Sequence, residues 1–325
     1  MDDCSPDDTP QVATSFKDSR IIHIRNESNL GHLKNYNKGI SWAKGKYVWL
    51  ISADDFLRCS SIVERYIEVM EGHPQVGYIF CPAVRFQDGR ETEVVGWSVH
   101  GHQDRVFPGH EFLTKLLLAN CVCAPTGMVR KVCYDRVGLF PLSMPNSGDW
   151  YLWCHFALYH AVAYLAEPMV CYRTFGENMS EGLKKHNPRV ITEDNFRVRW
   201  TVREEAQKSN FDSIVALCDD TIATYYANLI AAEMYEPNIY RLTFEECRKS
   251  IEHFSCNIDE QVEMLARVYS ALGDQCYLRR DYPKARENYM AALQHDPSAI
   301  TTWAKFTILR LGRLGIRIRD LASSI

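Results

Sequence analysis

Apolar positions are sparse at the start of the chain. The first readable period is Leu33, Tyr36, Gly39, Ile40 and Ala43, whose spacing predicts a helix over 32–43 that Gly45 stops. The continuous apolar run Tyr47-Val-Trp-Leu-Ile51 follows at once, and its length between helical patterns predicts a buried strand over 47–52, covered on both faces of a mainly parallel sheet. Ile62, Val63, Tyr66, Ile67 and Met70 share one face of a helix over 60–71, and 76–83 reads as a second buried strand. Residues 87–103 are polar and read as a loop or an edge hairpin, 110–119 as a helix, 126–130 as a strand, and 134–137 as a short turn closed by Gly138. Trp150, Trp153, Phe156 and Ala157 trace the buried face of a further helix, and strands over 162–165 and 169–173 close the sheet. Ahead of the first helix lie turn chemistry over 1–9, a helical turn or two over 11–16, a short strand over 20–25 and a turn at Asn29-Leu-Gly31. This alternation predicts an α/β domain, a mainly parallel sheet with flanking helices, over 1–185. From 186 to 325 the pattern is polar and helical, with periods over 191–206, 213–232 and 243–253, and predicts an all-α region.

A chain of 325 residues accommodates one such domain and a smaller companion. The formal charge of -4 gives no basic footprint, so nucleic acid is not an expected partner. Twelve cysteines are scattered from Cys4 to Cys276 without a framework of spacings, which predicts reduced thiols in a cytoplasmic protein. Cys121-Val-Cys123 reads as core and His100-Gly-His102 as a solvated loop, since neither pair has further ligands nearby. No apolar run reaches the length of a bilayer span, so the expected protein is soluble or peripheral at a membrane.

Two places carry candidate chemistry. Asp54 and Asp55 stand where the apolar run 47–52 breaks off, and the carboxyl edge of a sheet is where ligands bind in open α/β folds. Paired carboxylates there suit a hard divalent cation, or equally a solvated turn. Asp149 falls in the first turn of the Trp150 helix, where it either complements the helix dipole or serves as a proton acceptor on a rigid element.

Residues 2–180 resemble a family 2 glycosyltransferase of the GT-A fold. The resemblance rests on the order of Asp2-Asp-Cys-Ser-Pro-Asp-Asp-Thr9, Asn29-Leu-Gly31, Asn37-Lys-Gly39, Ala43-Lys-Gly45, Tyr47 to Asp55, Gly148-Asp149-Trp150 with Leu152-Trp153, Tyr172-Arg173, and Asn178-Met-Ser180. It implies transfer of a sugar, with inversion, from a nucleotide-diphosphate donor such as a UDP-sugar to the hydroxyl of a glycan or lipid-linked acceptor, in polysaccharide or glycoconjugate synthesis. It also implies the roles: Asp2 and Asp54 on the donor nucleotide, Asp55 with Asp54 on a Mn²⁺ or Mg²⁺ ion, and Asp149 as the general base. Ser52 stands where the family has an aspartate, and Phe175 where it has a histidine. The family's first strand and helix would precede Met1, so the resemblance implies an incomplete catalytic domain.

In the helical region Tyr269, Leu272, Gly273, Ala285, Tyr289, Ala292 and Pro297 fall at the positions of a tetratricopeptide-like repeat over 266–299, read as a packing hairpin or as a docking site for a protein partner. Arg310, Arg313, Arg317 and Arg319 among Leu and Ile over 310–325 suit an anionic membrane surface or a solvated helix face. The alternative to an enzyme is a catalytically silent relative that acts through these helices as an interaction module.

Overall fold

The computed structural model describes residues 1–175, 179–235, 241–312, 315–316 and 319. The chain divides into two compact units, Met1–Val198 and Arg199–Ile325.

In the first unit, α1 (Thr9–Ser15) and α2 (His32–Trp42) lead to β1 (Tyr47–Trp49), then β2 (Phe56–Leu57), α3 (Ile62–Gly72), β3 (Val76–Phe80), β4 (Ala83–Gln87) and β5 (Arg90–Val94). β6 (Arg105–Phe107), α4 (Gly109–Leu116), β7 (Met128–Arg130), α5 (Val132–Val137), α6 (Gly148–Tyr159), β8 (Ala161–Tyr164), β9 (Val170–Arg173) and α7 (Met179–His186) follow. The last helix, α8 (Pro188–Lys208), runs across the division. Two sheets result, in the orders β1-β7-β3-β8-β6 and β2-β9-β4-β5. β3 pairs in parallel with β8, and β4 with β9, while the neighbours of β7, β5 and β6 run antiparallel. Mixed sheets with flanking helices, joined to a helical region, fit the α/β class read from the alternation, but among the described strands only two of the seven pairings are parallel, so the sheets are mixed where a mainly parallel one was expected.

β1 stops at Trp49, because its partner β7 begins only at Met128 after the 3₁₀ turn Ala124–Thr126, where Pro125 has no N–H to donate. Residues 20–25 form no strand. Only Arg25 pairs, through a parallel bridge to Asp2, and Ile21 and Ile22 are exposed. The polar stretch after residue 87 is the expected hairpin, with Asp88 and Gly89 both at positive φ, as a two-residue turn of matching twist requires. His100 does not lie in a solvated loop: it packs against Phe80, Phe112 and Tyr164, with Nε2 3.0 Å from the Cys121 carbonyl oxygen. All twelve cysteines are free thiols.

The core of the unit forms around β3, every residue of which is buried. α3 presents Ile62, Tyr66 and Met70 to it, and Tyr66 also stacks on Trp49 at 5.0 Å and donates its hydroxyl to the Thr126 carbonyl. Trp49 donates Nε1 to Pro125 O at 2.8 Å, which fixes the chain just before the acidic pair. On the other side α4 packs against α6 so closely that a Cβ on Gly109 would overlap the backbone oxygens of Ala157 and His160. Backbone cannot step aside as a side chain can. Gly109→Ala is therefore expected to cost about 2 kcal/mol or more, a fall in melting temperature of at least about 4 °C by calorimetry.

The second unit holds the remainder of α8 with α9 (Asp212–Tyr235), α10 (Phe244–Phe254), α11 (Ile258–Leu278), α12 (Tyr282–His295) and α13 (Ile300–Arg310). α10 begins with a capping box between Thr243 and Glu246. α11 packs between α9 and α12, and Gly273 is where the Tyr289 ring lies flat on the helix. Leu272, Ala285, Tyr289 and Ala292 are buried between these helices, so the periodic positions noted in the sequence form a packed helix pair. Asp274 accepts from the Tyr289 hydroxyl, Lys305 and Arg319, at 2.6 to 2.7 Å. Of the arginines in 310–325, Arg313 and Arg317 lie outside the described residues, as does Asn178 of the earlier motif. Among the described residues no helix is long and apolar enough to cross a membrane.

Candidate functional site

The acidic pair sits where the chain crosses from one sheet to the other. β1 belongs to the first sheet and β2 to the second, and Ser52 to Asp55 make the turn between them, closed by Asp55 N–H to Ser52 O at 3.0 Å. Both carboxylates are half-buried. Asp55 Oδ1 accepts the backbone N–H of Arg173 at 2.9 Å, so the end of β9 holds it in place. Burial pushes the Asp55 carboxyl up to about 7, the neighbouring Asp54 charge adds to that, and the Arg173 N–H opposes it. The Arg173 guanidinium, solvent-exposed, stands 5.7 Å from the Phe56 ring and 5.4 Å from Phe86.

Asp149 is the second residue of α6. Oδ2 accepts from Asn120 Nδ2 at 3.1 Å, and burial holds the carboxyl above the usual Asp range, opposed by the Trp150 N–H and by Asn120. The Trp153 indole N–H, buried and without a hydrogen-bond partner, lies close enough to add to that opposition. Trp153 can approach because Gly127 beneath it has no side chain: a Cβ there would overlap the indole. Asp149, Trp153, Gly127, Tyr36, Leu50 and Ser52 line a small cavity of about 50 Å³.

The two places come together at Tyr36. Its hydroxyl lies 3.2 Å from Ser52 Oγ, and its pKa is raised first by burial and then by the charges of Asp54, Asp149 and Asp55. Cys123 feels Asp55 and Asp149 as well, behind the burial that chiefly raises it. Asp149 lines the cavity together with Tyr36 and Ser52, while Asp54 and Asp55, in the turn that Ser52 opens, act on Tyr36 through their charge. α2, which carries Tyr36, is locked to it by Asn37, whose amide donates to Phe140 O and accepts from Phe140 N–H, both at 2.9 Å.

Asp2 lies apart from this pocket's contacts and is turned inward, 5% exposed. Oδ1 accepts the Ser5 N–H at 2.8 Å; the Ser5 hydroxyl first, then that N–H, the Arg25 charge and His23 hold its pKa down against burial, and Oδ2 stands 3.3 Å from Arg25 Nε and 3.4 Å from His23 Nε2. Asp3 binds the Leu30 and Gly31 N–H groups at 2.8 and 2.9 Å, fixing the turn that starts α2.

Among the described residues no group of three or more His, Cys, Asp or Glu side chains is arranged to hold a metal ion. Asp54 and Asp55 nevertheless suit one kind of cation. Mg²⁺ and similar hard ions are commonly held by one or two carboxylates and complete their shell with water and phosphate oxygens. Asp55 is half-buried with a raised pKa, and the Arg173 N–H and guanidinium charge offset only part of the cost of its ionised form, so a cation there would favour it further.

Sequence reasoning singled out Asp54, Asp55 and Asp149; the structure puts Asp149 in the cavity with Tyr36 and Ser52, and Asp54 and Asp55 in the turn that Ser52 begins. Sequence reasoning missed Tyr36 and Asn120. Tyr36 was visible only as an apolar helix position, although its hydroxyl reaches the pocket, and Asn120 lies in a loop without a pattern. It also missed Asp194 on α8, whose carboxylate accepts the backbone N–H groups of Asn146 and Ser147 just ahead of α6.

The model of glycosyl transferase family 2 matches residues 1–137, a span that includes Asp54 and Asp55 and ends before Asp149. An uncharacterised glycosyltransferase of Methanocaldococcus jannaschii is 38% identical over 120 residues, 37% of this chain and 41% of that protein. An uncharacterised protein of Mycobacterium tuberculosis is 26% identical over 184 residues, 53% of this chain and 48% of its own length. The glycosyltransferase GlyG of Streptococcus pneumoniae is 32% identical over 73 residues, 22% of this chain and 24% of GlyG. The chain spans less than half the length of these relatives.

Proposed function

We propose that this chain is an inverting glycosyltransferase that moves a sugar from a nucleotide-diphosphate donor, a UDP-sugar, to the hydroxyl of a glycan or lipid-linked acceptor. The match of residues 1–137 to glycosyl transferase family 2 supports the reaction class. The observation that carries the reading is the hydroxyl of Tyr36, 3.2 Å from Ser52 Oγ at the start of the acidic turn, in a cavity that Asp149 also lines.

Their environments assign them different work. Asp149, on a rigid helix and oriented by Asn120, would take the proton of an acceptor hydroxyl as that oxygen attacks the anomeric carbon. A pKa held above the usual Asp range makes it a better proton acceptor than a solvated aspartate. Asp54 and Asp55 would hold a Mn²⁺ or Mg²⁺ ion, which when bound neutralises charge on the diphosphate leaving group. Arg173, fixed through its backbone to Asp55, places a guanidinium at the same edge. Attack and departure on opposite faces of the sugar constitute a single displacement, hence inversion. Asp2, buried in its own ion pairs, would serve the nucleotide by holding the Ser5 backbone in place.

The full chain is expected to release UDP from a UDP-sugar panel in the presence of Mn²⁺, and to lose that release on chelation. A chain that binds no nucleoside diphosphate by calorimetry, with or without Mn²⁺, would sink the reading.

A further inference from the structure

The start of α6 has no cap of its own. Its N-cap residue is Ser147, and no side-chain cap hydrogen bond is made there. The first free backbone donors of a helix need partners, most of all where they are buried, and Ser147 is 3% exposed. The partner comes from α8, more than forty residues on. Asp194 is 0% exposed, and its Oδ2 accepts the N–H of Asn146 at 2.8 Å and of Ser147 at 3.1 Å. Oδ1 is buried without a hydrogen bond, 3.9 Å from Arg197 Nη1.

The same loop is held at two further points. Arg197 donates Nη1 to Ser143 O at 2.7 Å, and His32 Nε2 stands 3.0 Å from Pro145 O. Residues 143–147 are thus tied from α8 and from α2, and the chain enters Gly148-Asp149 directly from the two N–H groups that Asp194 grips.

We propose that Asp194 is a positioning residue: through the backbone of Asn146 and Ser147 it sets the first turn of α6 and so the place of the Asp149 carboxylate. This rests on reading Asp149 as the proton acceptor. A carboxylate out of water costs free energy that charge-assisted hydrogen bonds only partly offset, so its position at this helix start is one where geometry counts. Misplacing a reacting group by about 1 Å is enough to lower turnover on the order of 10²-fold.

The test is a double-mutant cycle on the full chain, with UDP release from UDP-glucose and UDP-N-acetylglucosamine as the assay and Mn²⁺ present. Asp194→Ala is expected to lower kcat by about 10-fold or more with KM for the donor within about twofold, because the donor is bound elsewhere. Asp194→Asn keeps an oxygen in the same place and should recover most of the loss. In an Asp149→Asn background the Asp194 substitutions should change kcat less than about twofold, since they act through the group already removed. An equal loss in both backgrounds, or a KM that rises as far as kcat falls, would overturn the inference while leaving Asp149 as the base. Unchanged turnover in Asp149→Asn alone would remove both readings. Should Asp194→Ala not fold, Asp194→Asn carries the cycle with an expected loss of about 3-fold. A readout independent of turnover is amide hydrogen exchange over 144–152, which should quicken in Asp194→Ala and to a smaller extent in Asp194→Asn; unaltered protection in both would show that Asp194 does not hold the helix start.

Discussion

Asp149→Asn is expected to lower turnover by about 10²-fold or more while leaving donor affinity within about twofold. The substitution keeps the shape of the side chain, an oxygen for Asn120 Nδ2 and the start of α6, and removes only the capacity to take a proton. Donor affinity should survive because the groups proposed for the diphosphate lie on other elements, at the 52–55 turn and the end of β9. If affinity fell with turnover, Asp149 would be a structural residue. The pH profile gives a second reading of the same variant. A base works deprotonated, so turnover falls as pH drops through its pKa. Burial raises the Asp149 pKa, and the acid limb of kcat/KM should therefore lie above the usual Asp value of about 3.9. With Mn²⁺ saturating, so that Asp55, itself raised to about 7, is held ionised, loss of that limb in Asp149→Asn, measured from pH 4 to pH 8, is the expected signature.

The second large effect is at the acidic turn, where Asp55→Ala should abolish Mn²⁺-dependent donor binding and turnover. Ala also deprives the Arg173 N–H of its acceptor, which would loosen the junction of β2 and β9 for reasons unrelated to a cation. Asp55→Asn separates the two causes. It preserves an oxygen for Arg173 and loses the charge, so it should melt like the parent chain yet show no gain in UDP affinity on adding Mn²⁺, by calorimetric titration. Native-like Mn²⁺ dependence in Asp55→Asn would end the metal role of this residue.

Much of this arrangement was readable in the chain, and the reasons are local. The helical period named α2 and α3 because each buries one stripe, α6 stood out by its apolar length although it is buried nearly all round, and the unbroken run at 76–83 named β3 because both its faces are covered. Asp54, Asp55 and Asp149 could be singled out since charge at the end of an apolar run is conspicuous. Less legible was anything fixed by a partner distant in sequence. The end of β1 depends on Pro125, and the lone Asp2–Arg25 bridge cannot be told from a strand over 20–25 by composition. Asp194 carried a faint signal: with Val198, Val202 and Ala206 it forms an i, i+4 series, all fully buried, in which a carboxylate is the odd member. Nothing in the series said that its partner would be the backbone at 146–147.

The pairing of β3 has a consequence for synthesis of the chain. β3 is complete at Phe80, yet its neighbours β7 and β8 end only at Arg130 and Tyr164. At a translation rate of about 5–20 residues per second, the most apolar strand of the sheet emerges roughly 4 to 17 s before its parallel partner exists. Until β7 is made both edges of Val76–Phe80 are exposed, with α3 already there to cover a face, and until β8 is made one edge still is. The nascent polypeptide, rather than the finished molecule, is then the form most open to aggregation and the stage at which a ribosome-associated chaperone would matter most.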